Sequence, residues 1–359
     1  MKLSVCEACG QLLQFEHTAC RRCGAPLGFI PGSMLLTALR EADGQVVPKS
    51  RPDEVWRRCV NAEATGCNWL VSEDAADPRC MACRLNRNLA DMHGPGNREK
   101  RRRLECAKRR LIYALMRFGV PIASKKDGEA RGLAFDLLEG SRGAPVMTGH
   151  ANGLITVNIS EADDAERERQ RVALGEPYRT LLGHMRHEAG HYYWDLLVED
   201  GGLVGASRAV FGDESESYAE ALTRYYEHGP KPGWEDAHVS AYATMHPWED
   251  FAETWTHYLH MVDTLDTGAG FGLSVSPRVG SDPRDATVID FDPYDPPDLG
   301  SLVRAWLPLT AAVNGLNRSM GQPDLYPFDP SPNVLDKVRF VHDLLHPPGN
   351  PAAGETFSA

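Results

Sequence analysis

Gly183-His184-Met185-Arg186-His187-Glu188-Ala189-Gly190-His191-Tyr192-Tyr193-Trp194-Asp195 carries two histidines four residues apart, with a glutamate directly after the first. On a helix this spacing puts both imidazoles on one face, about one turn apart, as capture of one metal by two ligands requires. Glu188 then leans toward water at the metal, where a carboxylate can take a proton and pass it to a leaving amine. Leu181, Leu182, Met185, Ala189, Tyr192, Tyr193 and Leu196 make the run read as a packed helix, from about Tyr178 to Val198. The plainer alternative is two ordinary histidines on an amphipathic helix. His184, three residues before His187, shares the face and reads as a histidine packed behind the ligands. Asp195, one turn beyond His191, could orient that ring.

A catalytic zinc needs a third protein ligand and one open position. Candidates lie in Tyr242-Ala243-Thr244-Met245-His246-Pro247-Trp248-Glu249-Asp250-Phe251-Ala252-Glu253-Thr254-Trp255. Glu249 and Glu253 are four apart on one helix face, so one can ligate while the other hydrogen-bonds a ligand from behind. His246 is the main rival, and Glu214, Glu216 and Glu220 are weaker candidates. Phe251, Trp255 and Leu259 signal packing nearby rather than a solvated acidic face.

Around these motifs the chain reads as alternating helix and loop. A helical pattern begins at Leu104 and continues through Ala107, Leu111, Ala114 and Leu115 to about Gly119. Pro145–Thr148 and Leu154–Ile159, separated by Gly149 to Gly153, suit a hairpin that could form a substrate-binding edge. A helix is expected from Asp213, as N-cap, to about Glu227, and another from Trp248 to Val262 with Pro247 in its first turn. Gly268 to Pro297 reads as loop. Two helices, Asp298–Met320 and Asn333–Leu345, close the chain, and 347–359 reads as a disordered tail.

The nine cysteines are crowded at one end: eight lie before residue 84 and the ninth is Cys106. That distribution argues for metal binding rather than a disulfide scaffold. Cys6-x2-Cys9 and Cys20-x2-Cys23 can hang four thiolates from two tight turns, with Gly10 and Gly24 where a positive φ is needed. Cys59, Cys67, Cys80 and Cys83 form a looser second set. Whether each set closes its own coordination sphere or the pairs interleave between sets, no thiolate is left for an open position, so both zincs read as structural, bracing a segment with little core.

Net charge is −12, which excludes a molecule built as a whole to coat nucleic acid or an anionic membrane. No run of 18 apolar residues spans a bilayer, and the N-terminus lacks the apolar core of a secretory signal, so a cytoplasmic protein is expected. A basic run, Arg98 to Arg110, follows the polar linker Met92-His93-Gly94-Pro95-Gly96-Asn97.

The whole chain resembles the bacterial zinc-binding metallopeptidase family that carries an amino-terminal zinc ribbon. The resemblance rests on the cysteine sets, on the stretches 183–195 and 246–260, on Asn317-Arg318-Ser319-Met320-Gly321 and on Tyr326-Pro327-Phe328. That family is named from its motifs, so it implies a peptidase without supplying a substrate. The second motif is also similar to that of the anthrax lethal factor type of zincin. There a Tyr precedes the glutamate ligand by seven positions, as Tyr242 precedes Glu249, and a Glu-Phe-Phe-Ala-Glu run corresponds to Glu249–Glu253, with Asp250 as the departure. This likeness implies Glu249 as ligand, Glu253 behind the ligands and Tyr242 as the phenol that stabilises the oxyanion.

The expectation is therefore an α+β chain. Residues 1–93 form a zinc-ribbon domain with two four-cysteine clusters, and 98–346 a mostly helical, zincin-like metallopeptidase domain with a small β-sheet. Three zincs are expected, one catalytic and two structural, with a peptide or protein substrate. The alternative is a binding module in which the ribbons and the basic run contact nucleic acid or a protein partner beside a non-hydrolytic zincin.

Overall fold

A computed structural model describes residues 3–42, 45–141 and 143–347. The expected tail after Pro347 lies outside the described residues. The chain divides into two compact units, the first running to Arg167 and the second beginning at Glu168.

In the first unit, each cysteine pair sits on a tight turn. Gly10 N–H donates to the Cys6 carbonyl at 2.8 Å and Gly24 N–H to the Cys20 carbonyl at 2.9 Å. Both glycines have φ of 73°, a conformation a side chain would strain. Five short antiparallel strands follow in the order Leu27–Ile30, Leu35–Ala42, Gln45–Pro48, Trp56–Arg58 and Leu70–Ser72. Ile30, Leu39, Val46 and Leu70 fill one face, with Trp56 against them. This region therefore has a sheet and a core, against the expectation of a segment with little core. Phe15, Phe29 and Trp69 form a second cluster, with Phe15 and Phe29 rings 5.1 Å apart and Phe29 and Trp69 4.9 Å apart.

The helix Asn97–Arg117 starts earlier than its apolar pattern and buries the expected Leu104, Ala107, Leu111, Ala114 and Leu115. Its Tyr113 sits 5.0 Å from Phe15, so the helix packs on the cysteine-rich region within the same unit.

A four-stranded sheet completes this unit in the order Gly149–Ala151, Leu154–Asn158, Ala134–Leu138, Asn86–Leu89. The hairpin is real, but its first strand is Gly149–Ala151 rather than Pro145–Thr148. Asn152 and Gly153 both have positive φ, 48° and 77°, which makes a two-residue turn that fixes the register Ala151↔Leu154. Pro145 lacks the N–H that a ladder needs. Ala134–Leu138, unforeseen in the sequence, is the parallel partner of the strands on both sides.

The second unit is helical. Two long helices carry the motifs. The motif helix is Leu181–Tyr193, continued by a wider π turn, Trp194–Glu199. Thr180 caps it, its hydroxyl accepting the Gly183 N–H at 3.0 Å. The acidic helix is Pro247–Gly270, longer than expected, because Leu265, Asp266 and Gly268 remain buried past Val262. The two helices pack closely where Gly190 meets Ala252; a Cβ on Gly190 would lie 2.9 Å from Ala252 Cα. Tyr193 stacks on Trp255 across the same contact, with centroids 5.1 Å apart. A buried ion pair, Arg186 to Asp263, crosslinks them, and Tyr294 donates to the same Asp263 carboxylate.

The helix expected from Asp213 begins at Tyr218, because Ser217 caps it while Asp213 accepts from Ser215 in a local turn. Leu299–Ser319, capped by Asp298, and Pro332–Leu345 close the described chain. The loop after the acidic helix contains two short paired strands, Ser274–Val275 and Thr287–Val288. No described helix is long and apolar enough to cross a membrane.

Candidate active site and metal centres

His187, His191 and Glu249 converge. One donor atom from each lies within 4.8 Å of the others. His187 and His191 present Nε2 atoms 3.2 Å apart. Glu249 Oε2 is 2.9 Å from the first and 3.5 Å from the second. Zinc with ligands at about 2.0–2.1 Å has tetrahedral edges of about 3.3 Å, so the three atoms fit three corners of that figure. Glu249 Oε2 is buried and faces both ring nitrogens. A buried carboxylate oxygen and two ring nitrogens turned to one point at these separations are a donor set that one cation would satisfy together.

Each ligand is held from behind. Glu253 Oε1 lies 2.7 Å from His187 Nδ1, which leaves Nε2 to point inward. Glu253 is in turn fixed by Ser240, whose hydroxyl donates to Oε2 at 2.6 Å. The Trp248 ring covers His191, with centroids 3.8 Å apart. Tyr218 donates its hydroxyl to Glu249 Oε1 at 2.7 Å, so only the other oxygen is left to face the histidines. Sequence reasoning missed Tyr218, which sits on a different helix and shares no spacing pattern with Glu249.

The electrostatics follow the geometry. Burial opposes charge on His187, but Glu249 and Glu253 outweigh it and hold its pKa well above the ordinary value of 6.5. Burial likewise opposes ionisation of Glu249 and Glu253. The nearby histidines overcome this, keeping Glu249 well below the usual carboxylate range and Glu253 at about 2. Glu188 differs: desolvation raises its pKa, and the neighbouring histidines offset this only in part. Tyr242 lies 6.0 Å from the His187 ring, and burial raises its phenol so that it stays protonated.

The rival ligands are occupied elsewhere. His246 caps the acidic helix, Nδ1 accepting the Trp248 N–H at 3.1 Å, while Nε2 meets the Glu216 carbonyl at 3.1 Å. Glu214 pairs with Arg208, and Glu216 and Glu220 are exposed. His184 is half-buried and is not among the converging donors of the described residues.

The cysteines form two compact sets of free thiols. In the first, Cys6 and Cys23 Sγ atoms are 3.8 Å apart, and Cys9 and Cys20 3.6 Å apart. In the second, Cys67 lies 3.6 Å from Cys80 and 3.9 Å from Cys83. A zinc–sulfur distance of about 2.3 Å gives tetrahedral edges of about 3.8 Å, so both sets fit a four-thiolate zinc. Every cysteine of the second set is buried; the Cys59 contact raises the pKa of Cys83, but the Cys67 and Cys80 contacts, helped by the fully buried Lys108, bring it below the ordinary thiol value. Buried Arg109 feels the same thiolates, Cys67 and Cys83. Cys106 stands apart from both sets, its thiol pushed up by burial.

A family model described as "Putative zinc-binding metallo-peptidase" matches residues 97–344, and a zinc-ribbon domain model matches residues 3–94. The chain belongs to that zinc-binding metallo-peptidase family. It is 42% identical over 342 residues to an uncharacterized protein of Mycobacterium tuberculosis, covering 95% of this chain and 94% of that one. An uncharacterized protein of Mycobacterium bovis matches with the same identity and coverage. No solved structure matches the chain. The metallo-peptidase span includes the helices Leu181–Tyr193 and Pro247–Gly270, and the ribbon span includes both cysteine sets.

Proposed function

We propose that the chain is a zinc-dependent peptidase of the zincin type, with His187, His191 and Glu249 as ligands and Glu188 as general base. The observation that carries this reading is the convergence of His187 Nε2, His191 Nε2 and the buried Glu249 Oε2 at separations that suit three corners of a zinc tetrahedron. Zinc held there supplies Lewis acidity toward a peptide carbonyl and makes water a stronger acid.

The chain's own residues divide the remaining work. Glu188 takes a proton from the attacking water as its oxygen bonds to the carbonyl carbon. The same proton then passes to the amide nitrogen as the C–N bond breaks, leaving a carboxylic acid and an amine. A carboxyl with a raised pKa suits both halves of that transfer. The Tyr242 hydroxyl, held protonated by burial, donates to the oxygen on which charge develops. Glu253 and Tyr218 keep His187 and Glu249 in position. The two cysteine sets hold structural zincs, which brings the total to three.

Part of the basic run is engaged within the protein, which favours the peptidase over the nucleic-acid reading: Arg102 and Arg103 pair with Glu99, Arg103 also with Asp164, Arg110 with Glu16, and the buried Lys108 with Glu105.

A randomised peptide library, read by mass spectrometry, tests the proposal. Zinc-loaded protein should cleave a subset of peptides, a chelator should stop cleavage, and added zinc should restore it. Glu188→Gln should keep all its zinc and cleave about 100- to 10,000-fold more slowly. Undiminished cleavage by Glu188→Gln, or no cleavage by zinc-loaded wild type, would overturn it.

A further inference from the structure

Beside the converging ligands, the second unit has a half-open cleft of about 430 Å³. Thr244 and Met245 are buried in its floor, half-buried Tyr225 forms a wall, and Arg224, His228 and Lys231 are exposed at its rim. No carboxylate lines it. Lys231 makes no ion pair among the described residues. Arg224 is paired only with Glu216, at 3.8 Å with both side chains more than half exposed, which leaves most guanidinium donors open to a ligand.

The cleft lies two ring contacts from the metal site. Tyr225 packs edge-on to Tyr242 at 5.7 Å, and Tyr242 lies 6.0 Å from the His187 ring. The two contacts set an upper limit on the separation of Tyr225 from His187, one that about three residues of extended peptide span at roughly 3.3–3.6 Å each. We propose that this cleft is a substrate subsite that binds a carboxylate two or three residues from the bond to be cut. Tyr225 and Met245 pack on the apolar stem of the residue, and Arg224, His228 and Lys231 meet its charge. The carboxylate is supplied either by an acidic side chain or by the peptide's own C-terminus.

This inference rests on the zinc-peptidase reading, and the test separates the two. Peptide hydroxamates bind an accessible zinc without being cleaved. A series carries Glu or Gln at the second or third residue from the hydroxamate, with the peptide's other end either a free carboxylate or an amide. Binding to the zinc-loaded full chain is measured by calorimetry. The charged probe should bind about fivefold tighter than its neutral twin, as two exposed cations would give, and the ratio should fall as salt rises. Preference for Glu over Gln in amidated probes identifies a side-chain site; preference only for the free terminus identifies a C-terminal site. The double variant Arg224→Gln, Lys231→Gln should bring the ratio below twofold, and both positions are exposed enough to fold unchanged. Equal binding of charged and neutral probes to wild type, or a ratio that survives in the double variant, overturns the subsite while leaving the zinc reading intact. Failure of every hydroxamate to bind overturns both.

Discussion

On the proposed reading Glu249 ligates through one oxygen and needs the other held, and Tyr218 donates to that other oxygen at 2.7 Å. Such partners orient a ligand and set its basicity; losing one weakens metal affinity by about 10- to 100-fold. Tyr218→Phe should therefore keep the fold, lower zinc affinity in competition with a chromophoric chelator, and leave the two cysteine sites filled. Affinity equal to wild type would show that the hydroxyl plays no part in positioning Glu249. The residues legible in the sequence were those whose relation is local. His187, Glu188 and His191 sit within one turn, so spacing alone put them on one face. Glu249 needed a resemblance to separate it from Glu253 and His246, because nothing local marks which acid turns inward. The capping geometry that engages both nitrogens of His246 became visible only in the structure. Tyr218 lies 31 residues from its partner, and a single hydroxyl contact leaves no periodic trace.

At the scale of elements, the site exists because two helices approach closely enough for ligands on one to meet a ligand on the other. Gly190 permits that approach. A methyl there would press on Ala252 backbone at 2.9 Å, and backbone cannot rotate away. Gly190→Ala gains up to about 1 kcal/mol of intrinsic helix propensity, but overpacking of this kind costs typically about 1–3 kcal/mol. The variant should unfold at lower urea than wild type and bind the exchangeable zinc more weakly, since parted helices separate Glu249 from the histidines. An unchanged urea midpoint together with unchanged zinc affinity would mean that the contact does not set the spacing. Helix existence was readable from apolar periodicity throughout this unit, whereas ends were not. Asp213 looks like a cap in sequence, yet Ser215 claims its carboxylate and the helix waits for Ser217. The acidic helix outlasts its obvious apolar pattern because Gly268 packs against Ile289 and Leu309, contacts set by distant chain.

Over the whole molecule, composition indicated where charge could not be spent but not where it went. Much of the basic run is paired internally, with Glu16, Glu99, Glu105 and Asp164, partners scattered from residue 16 to residue 164. The five-stranded sheet in the amino-terminal region escaped notice because its strands are three to eight residues long and its core is only a few side chains. The cysteine pairs were legible because their metal chemistry dictates the spacing. All of these features meet in one claim, that three separate sites bind zinc and that only the site of His187, His191 and Glu249 leaves a position open. Elemental analysis of the purified wild-type chain beside His187→Ala addresses it directly. The account predicts three equivalents of zinc in the first and two in the second. The same zinc count in both proteins would contradict it.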